Sequence, residues 1–196
     1  YCGIIFGGGD SAEVIHCIVR ENGGDKCTPQ GGIINFCDSR RKIVNNLIYN
    51  NTGCGIYAEG APLIANNIIA CSKSKIEHSD SDGDGICCTG WRSSFPNAAT
   101  IVNNIIYGSD RYGIYFRGEN SATVTYCNVT DSVAGEISCG VGCINSDPLF
   151  VDPTNGNFHL QSGSPCIDAG DPDPKYNDID GTINDMGAYG GSFGDW

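Results

Sequence analysis

Basic residues are scarce in this sequence: 11 Lys and Arg stand against 23 Asp and Glu, for a net charge of −12. Proteins that grip nucleic acid or an anionic membrane surface need a basic footprint, so neither partner is expected. No run approaches the roughly 18 apolar residues of a membrane span, which argues against insertion as well. A single Met and little Ala or Leu disfavour a helical bundle. Histidine is also rare: His16, His78 and His159 are three residues without ligand-set spacing. No C-x-x-C pair occurs, so the common zinc, haem and dithiol redox patterns are missing.

What is abundant is cysteine and glycine, 12 and 28 of 196 residues. An even and high cysteine count reads as disulfides in an oxidising, extracytoplasmic compartment. Two N-x-S/T sequons make Asn50 and Asn128 glycosylation candidates in such a setting. Tyr1 opens in mid-pattern, as expected of a chain cut from a precursor or taken from a longer one.

The strongest signal is an internal repeat. Cys2-Gly3-Ile4-Ile5-Phe6, Gly31-Gly32-Ile33-Ile34-Asn35, Cys54-Gly55-Ile56-Tyr57-Ala58, Asp84-Gly85-Ile86-Cys87-Cys88 and Tyr112-Gly113-Ile114-Tyr115-Phe116 align on one glycine, with Val141-Gly142-Cys143-Ile144 as a degenerate sixth copy. The glycines recur every 23 to 30 residues. A second phrase lies inside the intervals: Ile43-Val44-Asn45-Asn46-Leu47-Ile48, Ile64-Ala65-Asn66-Asn67-Ile68-Ile69 and Ile101-Val102-Asn103-Asn104-Ile105-Ile106. Each unit holds short β-branched runs between Gly or Asn turns, with no helical period.

A unit of this size is one coil of a solenoid, and stacked coils place each run about 4.8 Å from its copy. Ile4, Ile33, Ile56, Ile86 and Ile114 then form one interior column, and Val19, Ile48, Ile69, Ile106 and Val129 another. Asn46, Asn67 and Asn104 are predicted to form a ladder in which each amide donates to one neighbour and accepts from the other. Cys17 and Cys127 take the same slot at its two ends.

On these phrases the chain resembles the right-handed parallel β-helix (pectate-lyase-like) superfamily. The resemblance extends to Asp147-Pro148-Leu149-Phe150-Val151-Asp152-Pro153, Gly163-Ser164-Pro165-Cys166-Ile167-Asp168-Ala169-Gly170 and Asp185-Met186-Gly187-Ala188-Tyr189-Gly190, which look like the closing segment of secreted bacterial β-helix proteins. It implies an all-β solenoid of five to six coils over residues 1–145, with the last coil and an irregular C-terminal cap over 146–196 in the same domain. The fold hosts lyases, hydrolases, epimerases, adhesins and structural stems, so it does not by itself assign an activity.

The distance from the Asn slot to the next aligned glycine marks insertions at Arg20–Gly31, Cys71–Asp84 and Asp131–Val141, and another lies at Thr89–Ala99. Cys2, Cys27, Cys54, Cys71 and Cys139 fall at that corner and, with Cys143 and Cys166, are disulfide candidates without assigned connectivity. Asp80, Asp82 and Asp84 alternate with Ser and Gly as in an oxygen-ligand calcium loop. Asp168, Asp178, Asp180 and Asp185 crowd the tail, where either calcium or hydrogen bonds to turn amides would relieve the repulsion. Calcium is therefore the one cofactor candidate, and no organic cofactor is implied. For catalysis, Glu59 and Arg117 share a column two coils apart, about 10 Å with Thr89 between.

Ile5, Ile34, Tyr57, Cys87, Tyr115 and Ile144 should point outward as an apolar stripe. Such a stripe wants a cover, from the tail's end at Gly191–Trp196 or from a neighbouring subunit. The resulting expectation is an extracellular, disulfide-stabilised module with a structural or adhesive role. It would self-associate, head-to-tail as in a surface filament or laterally, or bind a surface polysaccharide. The competing expectation is a lyase or glycoside hydrolase acting on an acidic polysaccharide.

Overall fold

The structure is a computed structural model that describes residues 3–7, 12–23, 31–36, 41–74, 83–90, 98–118, 121–135 and 137–194. The repeat folds into three stacked parallel sheets. The first contains Ile4–Phe6, Gly31–Asn35, Cys54–Glu59, Ile86–Gly90, Ile114–Gly118 and Val133–Ala134. The second contains Glu13–Ile15, Lys42–Val44, Leu63–Ala65, Ala98–Val102 and Ser121–Thr125, and the third Ile18–Arg20, Leu47–Tyr49, Ile68–Ala70, Ile105–Tyr107 and Asn128–Val129.

Both expected columns form in register. Ile4 pairs with Ile33, Ile33 with Ile56, Ile56 with Ile86 and Ile86 with Ile114. Val19, Ile48, Ile69, Ile106 and Val129 follow one another on the third sheet. A third column, Val14, Ile43, Ile64, Ile101 and Val124, completes the triangular core.

The two-residue bend from second to third sheet is built by the Asn-Asn pairs. Its first residue takes a left-handed backbone at His16, Asn45, Asn66, Asn103 and Tyr126 (φ 56, 53, 52, 58 and 50°). Asn tolerates this conformation better than most residues. Its second residue makes the ladder. The Asn67 carboxamide oxygen accepts from the Asn46 backbone N–H and Nδ2, both at 3.0 Å. Asn67 Nδ2 donates to the Ile43 and Ala65 carbonyls at 2.8 and 3.0 Å and to Asn104 Oδ1 at 3.0 Å. Cys17 and Cys127 end the ladder as expected: the Cys17 N–H donates to Asn46 Oδ1, and the Asn104 N–H to the Cys127 sulfur.

The aligned glycines answer to space. At Gly55, Gly85 and Gly113 an added Cβ would lie 2.3, 2.5 and 2.7 Å from γ-carbons of Ile69, Ile106 and Val129 across the interior. At Gly55 and Gly85 it would also meet the next glycine's carbonyl oxygen, at 2.7 and 2.5 Å. The first and third sheets approach too closely here for any side chain.

The sixth copy differs from its sequence alignment. Val133 and Ala134 form the sixth rung of the first sheet, opposite Ile114 and Tyr115. Val141–Ile144 belongs elsewhere: the Gly140 N–H donates to Val124, and Ile144 bridges Asn128. Residues 131–135 therefore hold the sixth coil's own turn and first-sheet strand, and Ile144 is not part of the outward stripe. The Asp-rich loop residues Asp80 and Asp82, with Cys2 and Cys27, lie outside the described residues.

The tail is a lateral strap and not an end cap. Phe150 and Phe158, from the antiparallel pair Phe150–Asp152 and Asn157–Leu160, pack with Cys166, Met186 and Ala188 on Leu47, Tyr49, Ile68 and Ile105, the outer face of the third sheet. The tail thus covers a face other than the one expected. On the first sheet Ile34, Tyr57 and Cys87 are nonetheless buried, whereas Ile5 is exposed.

Two substitutions test this packing. Asn67→Ala strands the donors of Asn46 and should lower the unfolding free energy by about 3 kcal/mol or more in denaturant titration. Gly85→Ala should cost about 1–3 kcal/mol through overpacking, whereas Gly163→Ala, with nothing within 4 Å of the new methyl, should be neutral.

Candidate functional site

Three clusters of chemically competent side chains lie outside the three isoleucine and valine columns of the interior. The first sits where the first sheet begins its third and fourth coils. Cys54 and Asp84 each precede an aligned glycine, and the Gly55 N–H donates to the Asp84 carbonyl at 2.9 Å. Cys87 follows two residues beyond Gly85, opposite Tyr57. Cys54, Asp84 and Cys87 are all fully buried, and one donor atom from each lies within 4.8 Å of the others. Asp84, which the sequence groups with Asp80 and Asp82 as an oxygen-ligand loop, has two sulfurs beside it among the described residues.

The second cluster holds the pair considered for catalysis. Thr89 pairs with Glu59 on one side and Arg117 on the other, so Glu59 and Arg117 stand two rungs apart, as expected. The structure does not bring them together. The Tyr57 hydroxyl donates to Glu59 Oε1 at 3.3 Å and lies 3.1 Å from the Thr89 hydroxyl. Burial is the main cause that lifts the Tyr57 phenol to about 12, and the Thr89 hydrogen bond opposes it. Tyr57 therefore stays a neutral donor, and the carboxylate it engages is braced against the sheet.

The third cluster is the acidic tail. Asp178 accepts from the Asp185 N–H at 3.1 Å and from the Gly191 N–H. Asp185 Oδ1 accepts from the Asp168 N–H at 2.7 Å, and Asp180 Oδ1 from the Thr182 N–H and hydroxyl at 3.0 and 2.6 Å. These are carboxylates bonded to turn amides, the arrangement the sequence offered beside calcium. Asp178 and Asp185 border an open cleft of about 420 Å³ with Ile179, Asp180 and Tyr189.

All nine described cysteines are thiols, including the candidates Cys54, Cys71, Cys139, Cys143 and Cys166. On the two preceding rungs the bend slot of Cys71 is held by Glu21 and Asn50, which share its left-handed backbone. The Cys166 sulfur instead accepts from Asn128 Nδ2 at 3.1 Å. Cys139 and Cys143 do meet, as hydrogen-bonded thiols. That bond, with backbone N–H groups helping against burial, brings Cys143 down to about 6.

Of the two sequon asparagines, Asn50 is half-buried in a bend. Asn128 is fully buried, donating to the Ser146 carbonyl at 2.8 Å and accepting from its N–H at 3.1 Å. The folded chain therefore holds Asn128 away from any glycan.

Sequence reasoning missed the first member of each Asn pair. Asn45 Nδ2 donates to the Ala188 and Gly190 carbonyls at 2.9 and 2.6 Å, and Asn66 Nδ2 to Asn184 Oδ1 at 3.0 Å. Asn103 Oδ1 accepts from the Asp171 N–H at 2.7 Å. The signal was present in the doublet: one Asn faces in to the ladder, and the other faces out to the strap.

The strap's carboxyls make its hold depend on pH. Burial chiefly, with neighbouring Asp charges, raises Asp178 and Asp185 above the ordinary 3.8 against their amide donors. A carboxyl raised in the folded state favours folding as pH falls through its raised value toward 3.8, and that gain is lost as pH rises. Below that window Asp180, held low by the Thr182 hydroxyl and N–H, acts in the opposite sense. The urea midpoint should therefore rise between pH 7 and about pH 4.5, and Asp185→Asn should shrink the rise.

A family model described as right handed beta helix region matches residues 1–129. No curated protein and no solved structure matches the chain. The three in-register parallel sheets and this match agree: the chain belongs to the right-handed β-helix family.

Proposed function

We propose that this protein is a structural or adhesive β-helix module that works outside the cytoplasm, presenting a stiffened stem to a surface polysaccharide or to further copies of itself. The observation that carries this reading is the strap. Asn45, Asn66, Asn103 and Asn128, on four successive coils, each spend their side chain on holding residues of the tail segment. Polar groups on a solenoid flank are free to serve a ligand, and here they are committed to bracing.

The disposition of Glu59 supports the same reading, since a carboxylate engaged by Tyr57 and two rungs from Arg117 is poorly set to share a proton transfer with it. The cysteine count favours an oxidising compartment, where the adjoining thiols of exposed Cys139 and half-buried Cys143 would close into a cystine. The acidic charge disfavours a nucleic-acid partner.

The test is incubation with uronate polymers, with and without calcium, followed by ultraviolet absorbance of unsaturated products and by reducing-end assay. No turnover is expected. Turnover abolished by Glu59→Gln or Arg117→Lys would replace this reading with a polysaccharide lyase or hydrolase.

A further inference from the structure

From the convergence of Cys54, Asp84 and Cys87 we infer that the first sheet carries a buried site for a thiophilic divalent cation of the zinc type, stapling the third coil to the fourth. Two donors that share one ion at about 2.3 Å can be at most about 4.6 Å apart. The three donor atoms here fall within 4.8 Å of one another, so a small contraction brings all three onto one centre.

The backbone fixes this meeting. Parallel register sets Cys54 beside Asp84 on adjacent rungs, and Cys87 opposite Tyr57 on the same sheet. The donors come from two coils: Cys54 and Cys87 sit on strands, and Asp84 lies two residues before Ile86–Gly90 with its carbonyl accepting from the Gly55 N–H at 2.9 Å, so backbone hydrogen bonds between the coils hold their spacing. Their surroundings are apolar: Ile34 and Tyr57 are buried with Cys54 and Cys87 in one cluster.

The chemistry selects the ion. Two sulfurs and one carboxylate at the same buried point would repel one another if ionised without a cation. A divalent cation attracts all three, outweighing their mutual repulsion, and displaces the thiol protons to solvent. Sulfur donors favour zinc over calcium or magnesium, which take oxygen, and the three donors found among the described residues leave a fourth tetrahedral position for a further ligand. The site is independent of the strap and of the role proposed above, and it lies where the Cys71–Asp84 insertion rejoins the sheet.

Cobalt(II) reports on such a site directly. Protein purified under reducing conditions and stripped with chelator is titrated with Co²⁺, then with Zn²⁺ in competition. One Co²⁺ per chain is expected, with sulfur-to-cobalt charge-transfer absorption of tetrahedral intensity that Zn²⁺ abolishes stoichiometrically. Cys87→Ser should roughly halve the charge-transfer band, and Asp84→Asn should weaken Zn²⁺ binding by at least about tenfold. Cys139→Ser, outside the cluster, should leave both unchanged. The measurement on the native chain stands even if a core variant fails to fold. Absence of a thiolate band in the native chain would overturn the inference. So would a Cys54–Cys87 cross-linked peptide in protein isolated without reductant, since that identifies the pair as a cystine.

Discussion

In a solenoid whose coils stack at about 4.8 Å, every bend must turn the chain without orphaning buried amides. The Asn46–Asn67–Asn104 ladder solves this at one corner. Each carboxamide is fully buried, and each links its own coil to the coils on either side. One side-chain type meets the whole requirement because a carboxamide both donates and accepts. The register that the ladder enforces aligns the isoleucine columns, and through them it sets which residues of neighbouring coils face each other outside.

The same register explains why interior and exterior sites have different characters. Inside, glycines let two sheets approach until a methyl group would collide with the γ-carbons opposite. Outside, residues on adjacent rungs are brought side by side whatever their chemistry. Glu59, Thr89 and Arg117 are neighbours for that reason, and so are Cys54 and Asp84. Stacking thus builds functional juxtapositions from residues roughly one repeat apart, and a small change in coil length would dissolve them.

The columns and the ladder were legible in the sequence because they are periodic. Their evidence is repeated at Ile4, Ile33, Ile56, Ile86 and Ile114, and again at Asn46, Asn67 and Asn104, so no single position had to decide it. The sixth rung was not legible, because Val133–Ala134 lacks the glycine and Gly142 offers a false copy. The strap was only half legible. Its phrases identify a closing segment, yet nothing in them says that Asn45, Asn66 and Asn103 receive it, since those contacts span 68 to 145 residues. Local motif separates Cys54, Asp84 and Cys87, making one a disulfide candidate, one a calcium-loop ligand and one a member of an apolar stripe. Only the stacking puts them at a single point.

A plain solenoid senses only nearest neighbours, so its outer turns fray independently of the middle. The segment laid along the third sheet changes that arithmetic by tying the second turn to the fifth, converting a one-dimensional stack into a unit that melts as a whole. It also orders events at the ribosome. The isoleucine columns emerge first and must persist with a naked apolar flank at Leu47, Ile68 and Ile105 until Phe150 and Phe158 arrive. A nascent chain paused before that point would be sticky, and chaperone dependence should concentrate in the interval.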